Sequence, residues 1–95
     1  MSKQPTSEFY RACRDGDTDT VEKMLPILTK EDIERVEPNG STALHAATHY
    51  GHKKIVKLLL ARSPDTSIRN TYGNTAEDEA SGSEIRTLFV SFRIV

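Results

Sequence analysis

The sequence has little of what several classes of protein depend on. A single cysteine among 95 residues cannot form an internal disulfide, so we expect a reducing compartment, the cytoplasm or alternatively the nucleus. No apolar run exceeds the four residues from 58 to 61, far short of the roughly 20 that span a bilayer. The formal net charge of −1 provides no general attraction to nucleic acids or anionic membranes. We therefore expect neither a membrane nor a nucleic-acid partner.

Recognisable catalytic motifs are also missing. No serine or cysteine in the sequence has an identifiable base and orienting group, and no glycine-rich phosphate-binding loop is present. We expect Cys13 to be a small buried residue and not a reactive thiol. The sequence therefore predicts no enzymatic activity and no cofactor.

Two groups of residues imitate metal sites. His45 and His49 are four residues apart and His52 follows them, a spacing that zinc ligands can have. The aspartates at positions 15, 17 and 19 alternate like the start of a calcium loop, but the glycine and glutamate of such a loop are missing. We favour histidines that support a fold, with His49 alone projecting outward, and a solvated turn capped by Asp17. No bound metal is predicted.

A modest basic strip comprises Lys53, Lys54, Lys57 and Arg62. No aromatic residues are interleaved with these cations, and the chain carries no net positive charge. We interpret the strip as the solvated face of a helix in preference to a nucleic-acid site.

The strongest positive signal lies between residues 39 and 60. Residues 39–52 read NGSTALHAATHYGH, and residues 53–60 read KKIVKLLL. Thr42 can cap a helix by accepting a backbone N–H near His45, and the His45 ring can reach back to the capping turn. Gly51 supplies the permissive backbone of a tight turn. The stretch therefore predicts two helices joined by a turn, the second with an apolar side.

The same layout recurs on both sides of this stretch. Six upstream residues match it at an offset of 35 positions: Phe9, Ala12, Gly16, Val21, Met24 and Leu25. Four downstream residues match it at an offset of 33: Gly73, Thr75, Ala76 and Ala80. The pattern resembles ankyrin repeats. The resemblance implies one all-α domain over residues 1–95, a solenoid of about three helix-turn-helix repeats at about 5–38, 39–71 and 72–89.

The first and third copies depart from the pattern as the ends of a stack do. Terminal repeats need polar outer faces because each repeat buries its apolar face only against a neighbour. Ser7 and Asp17 are the expected helix caps of the first copy. In the third copy, acids at positions 77–79 would open a short helix, where carboxylates favour the helix N-terminus.

Two local features fall outside the shared pattern. Ser63 stands where the repeat usually has glycine, so it is expected to adopt a left-handed backbone at a cost on the order of 1 kcal/mol. Thr29 is a capping residue followed by acids, and the stretch 29–33 therefore predicts a short additional helix.

The last residues, 90–95, are more apolar than a capping repeat requires. Val90, Phe92 and Ile94 occupy alternate positions, which predicts a strand or a segment that awaits a partner. Such a segment would support self-association or contact with a neighbouring domain of a longer polypeptide. The alternative is a tail that folds back over the last helix.

The resemblance also implies a function. Ankyrin repeats are far more often binding scaffolds than enzymes, so we expect a protein-interaction module whose partner is a protein of unknown identity. The alternative is an auxiliary targeting or regulatory domain of a larger protein or enzyme, with its catalytic part outside this chain.

Family geometry places the binding face on the turn tips and on the exposed end of each first helix, which together form a concave surface. Carried over by position, this face comprises Arg14, Asp15, Val36, Pro38, Asn39, Ser41, His49, Tyr50, Arg69, Thr71, Tyr72 and Asn74. Tyr50 and Tyr72 are the expected anchors, because tyrosine offers a large contact area with little rotamer entropy. The alternative for Tyr50 is that it merely covers the turn above Gly51.

Overall fold

The computed structural model describes residues 7–94, with Arg93 and Ile94 described by their backbone alone. Throughout this range the regular structure is helical and no strand occurs. The α-helices, in chain order, are α1 (Glu8–Asp15), α2 (Thr18–Met24), α3 (Lys30–Ile33), α4 (Ala43–His49), α5 (Lys53–Leu60) and α6 (Ser83–Ile94). Two 3-10 turns, Leu25–Ile27 and Glu77–Glu79, complete the elements. The predicted all-α architecture is confirmed.

The helices are arranged in two layers. An inner layer is formed by α1, α4 and the 3-10 turn Glu77–Glu79, which pack in that order. An outer layer is formed by α2, α5 and α6, which also pack in order. Because α1 packs on α2 and α4 on α5, each repeat supplies one element to each layer. Stacking these pairs builds one continuous core, as expected of a solenoid.

The core lies between the two layers and is most completely buried in the middle repeat. Val56 and Leu59 of α5 are fully buried, as is Ala47 of α4. From the first repeat, Val21 and Cys13 join the same cluster. Burial raises the pKa of the Cys13 thiol to about 12, so the thiol stays protonated at neutral pH. The interpretation of Cys13 as a small buried residue is confirmed.

The predicted helix caps are present. The Ser7 hydroxyl accepts the N–H of Tyr10 at 3.1 Å, and the Asp17 carboxylate accepts the N–H of Thr20 at 3.2 Å. Thr29 and Asp32 cap α3 reciprocally, each accepting a backbone N–H from the other. The short additional helix predicted in the linker therefore forms as α3.

Left-handed backbone occurs where the repeat pattern requires it. Ser63 has φ 53°, the left-handed value expected from its place in the repeat. Gly16, with φ 79°, ends α1 and lies against the ring of His52. A Cβ atom added at Gly16 would lie only 2.7 Å from His52 Cε1, so glycine also permits the close approach of the first two repeats.

The prediction of a strand or a folded-back tail after residue 89 is wrong. Helix α6 continues through Ile94 without a break. Its buried residues Ile85 and Phe89 recur at helical spacing, and Phe92 follows at the next turn of the same helix. The alternation seen at 90–94 is therefore the end of this helical pattern, while Val95 lies outside the described residues. Val90 and Phe92 remain partly exposed, and self-association through this end stays a prediction.

The basic strip links neighbouring repeats on the outer layer. Lys54 lies 3.7 Å from Glu22 of α2, and Lys53 lies 3.4 Å from Glu84 of α6. The Arg62 guanidinium donates to the carbonyl of Leu25 at 2.7 Å. These contacts fit the interpretation as a solvated helix face whose exposed ion pairs add little stability. From residue 7 to residue 94, no helix is long and apolar enough to cross a membrane.

Candidate protein-binding surface

Two turns with the same hydrogen bonding precede the inner elements of the second and third repeats. In the turn 37–41 the N–H of Glu37 donates to the carbonyl of Ser41 at 2.9 Å. In the turn 70–74 the N–H of Asn70 donates to the carbonyl of Asn74, also at 2.9 Å. The two turns are 33 residues apart, so the predicted repeat spacing places equivalent tips side by side along the inner layer.

A buried polar side chain with hydrogen-bond partners stands at the start of each turn. Glu37 is buried, and its carboxylate accepts the backbone N–H and the hydroxyl of Ser7 at 2.9 and 2.7 Å. The Asn70 side-chain oxygen accepts the N–H groups of Tyr72 and Asn74 at 2.9 and 3.0 Å. The Glu37 bonds therefore anchor the first turn to the start of α1, whereas the Asn70 bonds hold the second turn in shape. In the sequence, the only sign of this role is that both equivalent positions, Glu37 and Asn70, are polar.

Side chains of the inner helices α1 and α4 contact the turns. The Tyr10 hydroxyl of α1 accepts the side-chain N–H of Asn39 at 3.0 Å. At the equivalent position of α4, His45 Nε2 lies 2.9 Å from the carbonyl oxygen of Asn74. In both cases an inner-layer side chain reaches the turn of the next repeat. The turns of this face are therefore fixed by contacts between repeats.

A shallow groove lies between the inner layer and the two turns. It encloses about 180 Å³, below the roughly 300–1,000 Å³ typical of small-molecule sites. The groove is lined by Tyr10, Ser41, His45, His49, Tyr50, Asn70, Tyr72 and Glu79. The structure thus brings together four residues of the predicted face: Ser41, His49, Tyr50 and Tyr72. Its volume is enough for one or two amino-acid side chains.

The groove carries an aromatic cluster beside a carboxylate. The His49 and Tyr50 rings meet edge to face with centroids 4.8 Å apart, and Tyr50 stacks on His52 at 6.5 Å. His49 Nδ1 lies 4.0 Å from Glu79 Oε1, an ion pair when the imidazole is protonated. The side chain of Glu79 is only 15% exposed, so the carboxylate is recessed in the groove.

The remaining residues of the predicted face lie outside the groove lining. Arg14 and Asp15 bond to each other at the end of α1, at 2.8 Å. This bond lowers the pKa of Asp15 and raises that of Arg14. The Arg69 guanidinium donates to the carbonyl of Gly73 at 2.7 Å. The others are Val36, Pro38, Asn39, Thr71 and Asn74.

Several of these outlying residues support the turns. The Thr71 hydroxyl donates to the carbonyl of Asn39 at 3.3 Å and so ties one tip to the next. The side-chain N–H of Asn74 lies 3.4 Å from Glu79 Oε2. The position-by-position transfer missed Tyr10, His45, Asn70 and Glu79 as lining residues. Each depends on the geometry of the adjacent repeat, which spacing alone does not specify.

The histidines hold the fold together at two of their three positions. His45 contacts Thr42 through Nδ1 and Asn74 through Nε2, and His52 Nε2 lies 2.8 Å from the carbonyl oxygen of Arg14. His49 alone projects into solvent. Within the described range, no three His, Cys, Asp or Glu side chains are grouped so that they could hold a metal ion.

Comparisons with known proteins agree with this geometry. A family model described as ankyrin repeats, in three copies, matches residues 9–91. An ankyrin repeat-containing protein of Schizosaccharomyces pombe is 37% identical over 74% of this chain. The oxysterol-binding protein-related protein 1 of Rattus norvegicus is 31% identical over 88% of this chain. The chain spans 33% of the first relative and 9% of the second.

A solved structure has the same architecture. The match is to a chain from the crystal structure of a yeast ribosomal protein in complex with its chaperone. The TM-score is 0.85 and the sequence identity 28%, with 99% of this chain and 72% of that chain covered. The similarity therefore extends over the whole stack of repeats.

Proposed function

The chain belongs to the ankyrin-repeat family, whose repeats are non-catalytic protein-interaction modules, and we propose that it binds a protein partner through its inner face. This face comprises the inner layer and the turns 37–41 and 70–74. The observation that carries the proposal is the groove in which Tyr50 and Tyr72 are 58% and 84% exposed. A partner that covers both rings would remove a large apolar area from water.

The two tyrosines are suited to act as anchors. Tyr50 packs against His49 and His52, so its ring is partly ordered before a partner binds. Prior order reduces the entropy that binding must overcome. Tyrosine hot spots contribute about 2 kcal/mol or more to interfaces. The packing on His52 also fits the alternative in which Tyr50 covers its turn, and the two roles are compatible.

A second candidate function is an auxiliary targeting or regulatory module within a larger protein. The supporting observation is that the chain spans 33% and 9% of two longer relatives. In that case the inner face would recruit a protein to activities located elsewhere in the polypeptide.

The single buried cysteine fits a reducing compartment, and we propose that the protein acts in the cytoplasm, with the nucleus as the alternative.

Affinity capture from cell extract tests the proposed face. The bait chain is compared with a Tyr50→Ala, Tyr72→Ala double variant, and bound proteins are quantified by mass spectrometry. The matched control is Ile27→Ala, which removes a 79% exposed apolar side chain from the 3-10 turn Leu25–Ile27. The proposal expects specific partners to be lost from the double variant and kept by the control. Undiminished capture by a folded double variant would place the interface elsewhere.

A further inference from the structure

The carboxylate of Glu79 is recessed in the groove and held in one orientation. Glu79 ends the 3-10 turn Glu77–Glu79. Its Oε2 atom accepts the side-chain N–H of Asn70, and the side-chain N–H of Asn74 approaches the same oxygen at 3.4 Å. Two amides from one turn therefore fix the carboxylate through a single oxygen.

The second oxygen is available for a ligand. His49 Nδ1 lies 4.0 Å from Glu79 Oε1, which is beyond hydrogen-bonding distance. The oxygen belongs to a side chain that lines the groove together with Ser41. A carboxylate in such partly desolvated surroundings attracts a cation more strongly than a fully solvated one does.

The surroundings of Glu79 favour a flat cation. Tyr50 and Tyr72 line the same groove, and tyrosine faces attract cations through the ring quadrupole. The two nearby arginines already have acidic neighbours, since Arg14 pairs with Asp15 and Arg69 lies 3.9 Å from Asp78. Charge complementarity therefore points to a cation brought by the partner.

We propose that the groove binds an arginine side chain of the protein partner. The inference rests on the proposed function and names the chemistry that the face recognises. One guanidinium N–H donates to Glu79 Oε1, while the flat group lies against the tyrosine rings. A guanidinium suits this site better than an ammonium because it stacks on aromatic faces and keeps further N–H donors for acceptors such as Ser41.

The test is an NMR titration of the full chain, labelled with ¹⁵N. The probe is the peptide acetyl-Gly-Arg-Gly-amide, and its matched control carries citrulline, which has nearly the same shape as arginine without the charge. We expect saturable shifts confined to the groove residues, and affinity for the citrulline peptide weaker by about tenfold.

A variant pair assigns the effect to the carboxylate. Glu79→Gln retains an oxygen that accepts from Asn70, and it should respond equally weakly to both peptides. Glu84→Gln, at a 78% exposed side chain on α6, should bind like the native chain. Equal affinity for the arginine and citrulline peptides overturns the proposal, as do scattered shifts. If arginine is not selected while the tyrosine variant still loses its partners, arginine recognition fails and the binding face stands.

Discussion

The Nε2 atom of His45 lies 2.9 Å from the carbonyl oxygen of Asn74, which joins the inner helix of the second repeat to the turn of the third. A carbonyl oxygen only accepts, so Nε2 carries the proton. In the neutral ring Nδ1 then accepts from Thr42, whose hydroxyl oxygen lies 2.8 Å away. One buried imidazole thus caps α4 and also links two repeats.

Replacing this ring should weaken both connections. We expect His45→Ala to destabilise the chain by about 2–4 kcal/mol, since it removes a buried side chain and leaves the Asn74 carbonyl without its imidazole partner. Denaturant unfolding measures the loss, and hydrogen exchange should show reduced protection in the turn 70–74. An unaltered exchange pattern in that turn would show that the link contributes nothing.

The third repeat shows why a histidine is needed in the second. Asp78 occupies the position equivalent to His45, and its carboxylate accepts the N–H of Thr75 at 2.9 Å. Asp78 therefore caps its turn as His45 does but provides no second donor. Within the described residues, no further repeat follows whose turn would accept a hydrogen bond from this position.

A pair of glycines separates backbone strain from steric clash. Gly16 and Gly73 both have φ 79°, but only Gly16 has an atom within 4 Å of an added Cβ, the His52 ring. Alanine at either site should cost about 1 kcal/mol for the left-handed backbone. Gly16→Ala should cost about 1–3 kcal/mol more because it displaces His52. Equal melting temperatures of the two variants would contradict the close approach of the first two repeats.

The buried side of α5 should contribute strongly to the stability of the stack. Leu59 is fully buried, whereas its neighbour Leu58 in α5 is half-buried. We expect Leu59→Ala to lower the free energy of unfolding by about 2–5 kcal/mol, enough to threaten folding in so small a domain. Leu58→Ala is the control and should lower the free energy of unfolding clearly less. A melting curve unchanged by Leu59→Ala would refute the assignment of α5 to the core.

Capping carboxylates should make the fold sensitive to acid. Hydrogen bonds from Thr20, Thr29 and Thr75 lower the pKa values of the carboxyl groups that cap their helices or turns: Asp17, Asp32 and Asp78. A lowered pKa means that the charged carboxylate stabilises the fold at pH values above the ordinary pKa of the group. This contribution disappears as the pH falls below about 4.

The melting temperature measured between pH 7 and pH 2 tests the acid effect. It should fall below about pH 4 in the native chain. A triple variant with asparagine at the three positions keeps the caps without the charge, so its decrease should be smaller. An identical decrease in both proteins would show that other carboxylates are responsible.

Much of the fold could be predicted because its signals are local. The Thr42 cap, the short helix α3 and the left-handed Ser63 each depend on a few adjacent residues and the repeat spacing, and all three are confirmed. The end of α6 was predicted wrongly because alternation at 90–94 overlaps the spacing of Ile85, Phe89 and Phe92. A short apolar stretch does not distinguish a strand from the last turn of a helix.

The groove was harder to predict because neighbouring repeats build it together. Tyr50 and Tyr72 could be placed by analogy, as positions that the repeat leaves variable. Glu79 could not, since its role depends on the Asn70 and Asn74 amides that hold it. Pattern matching locates the turns, whereas the contacts between them are specified only by the three-dimensional structure.

Photo-crosslinking in cell extract can show directly whether a partner binds at the inner face. A photoreactive phenylalanine analogue is placed at Tyr72 in one chain and at Ile27 in another, both highly exposed positions. After irradiation in cell extract, mass spectrometry identifies the adducts. We expect specific protein adducts from position 72 that are absent from position 27. Adducts formed equally from both positions, or from position 27 alone, would contradict this expectation.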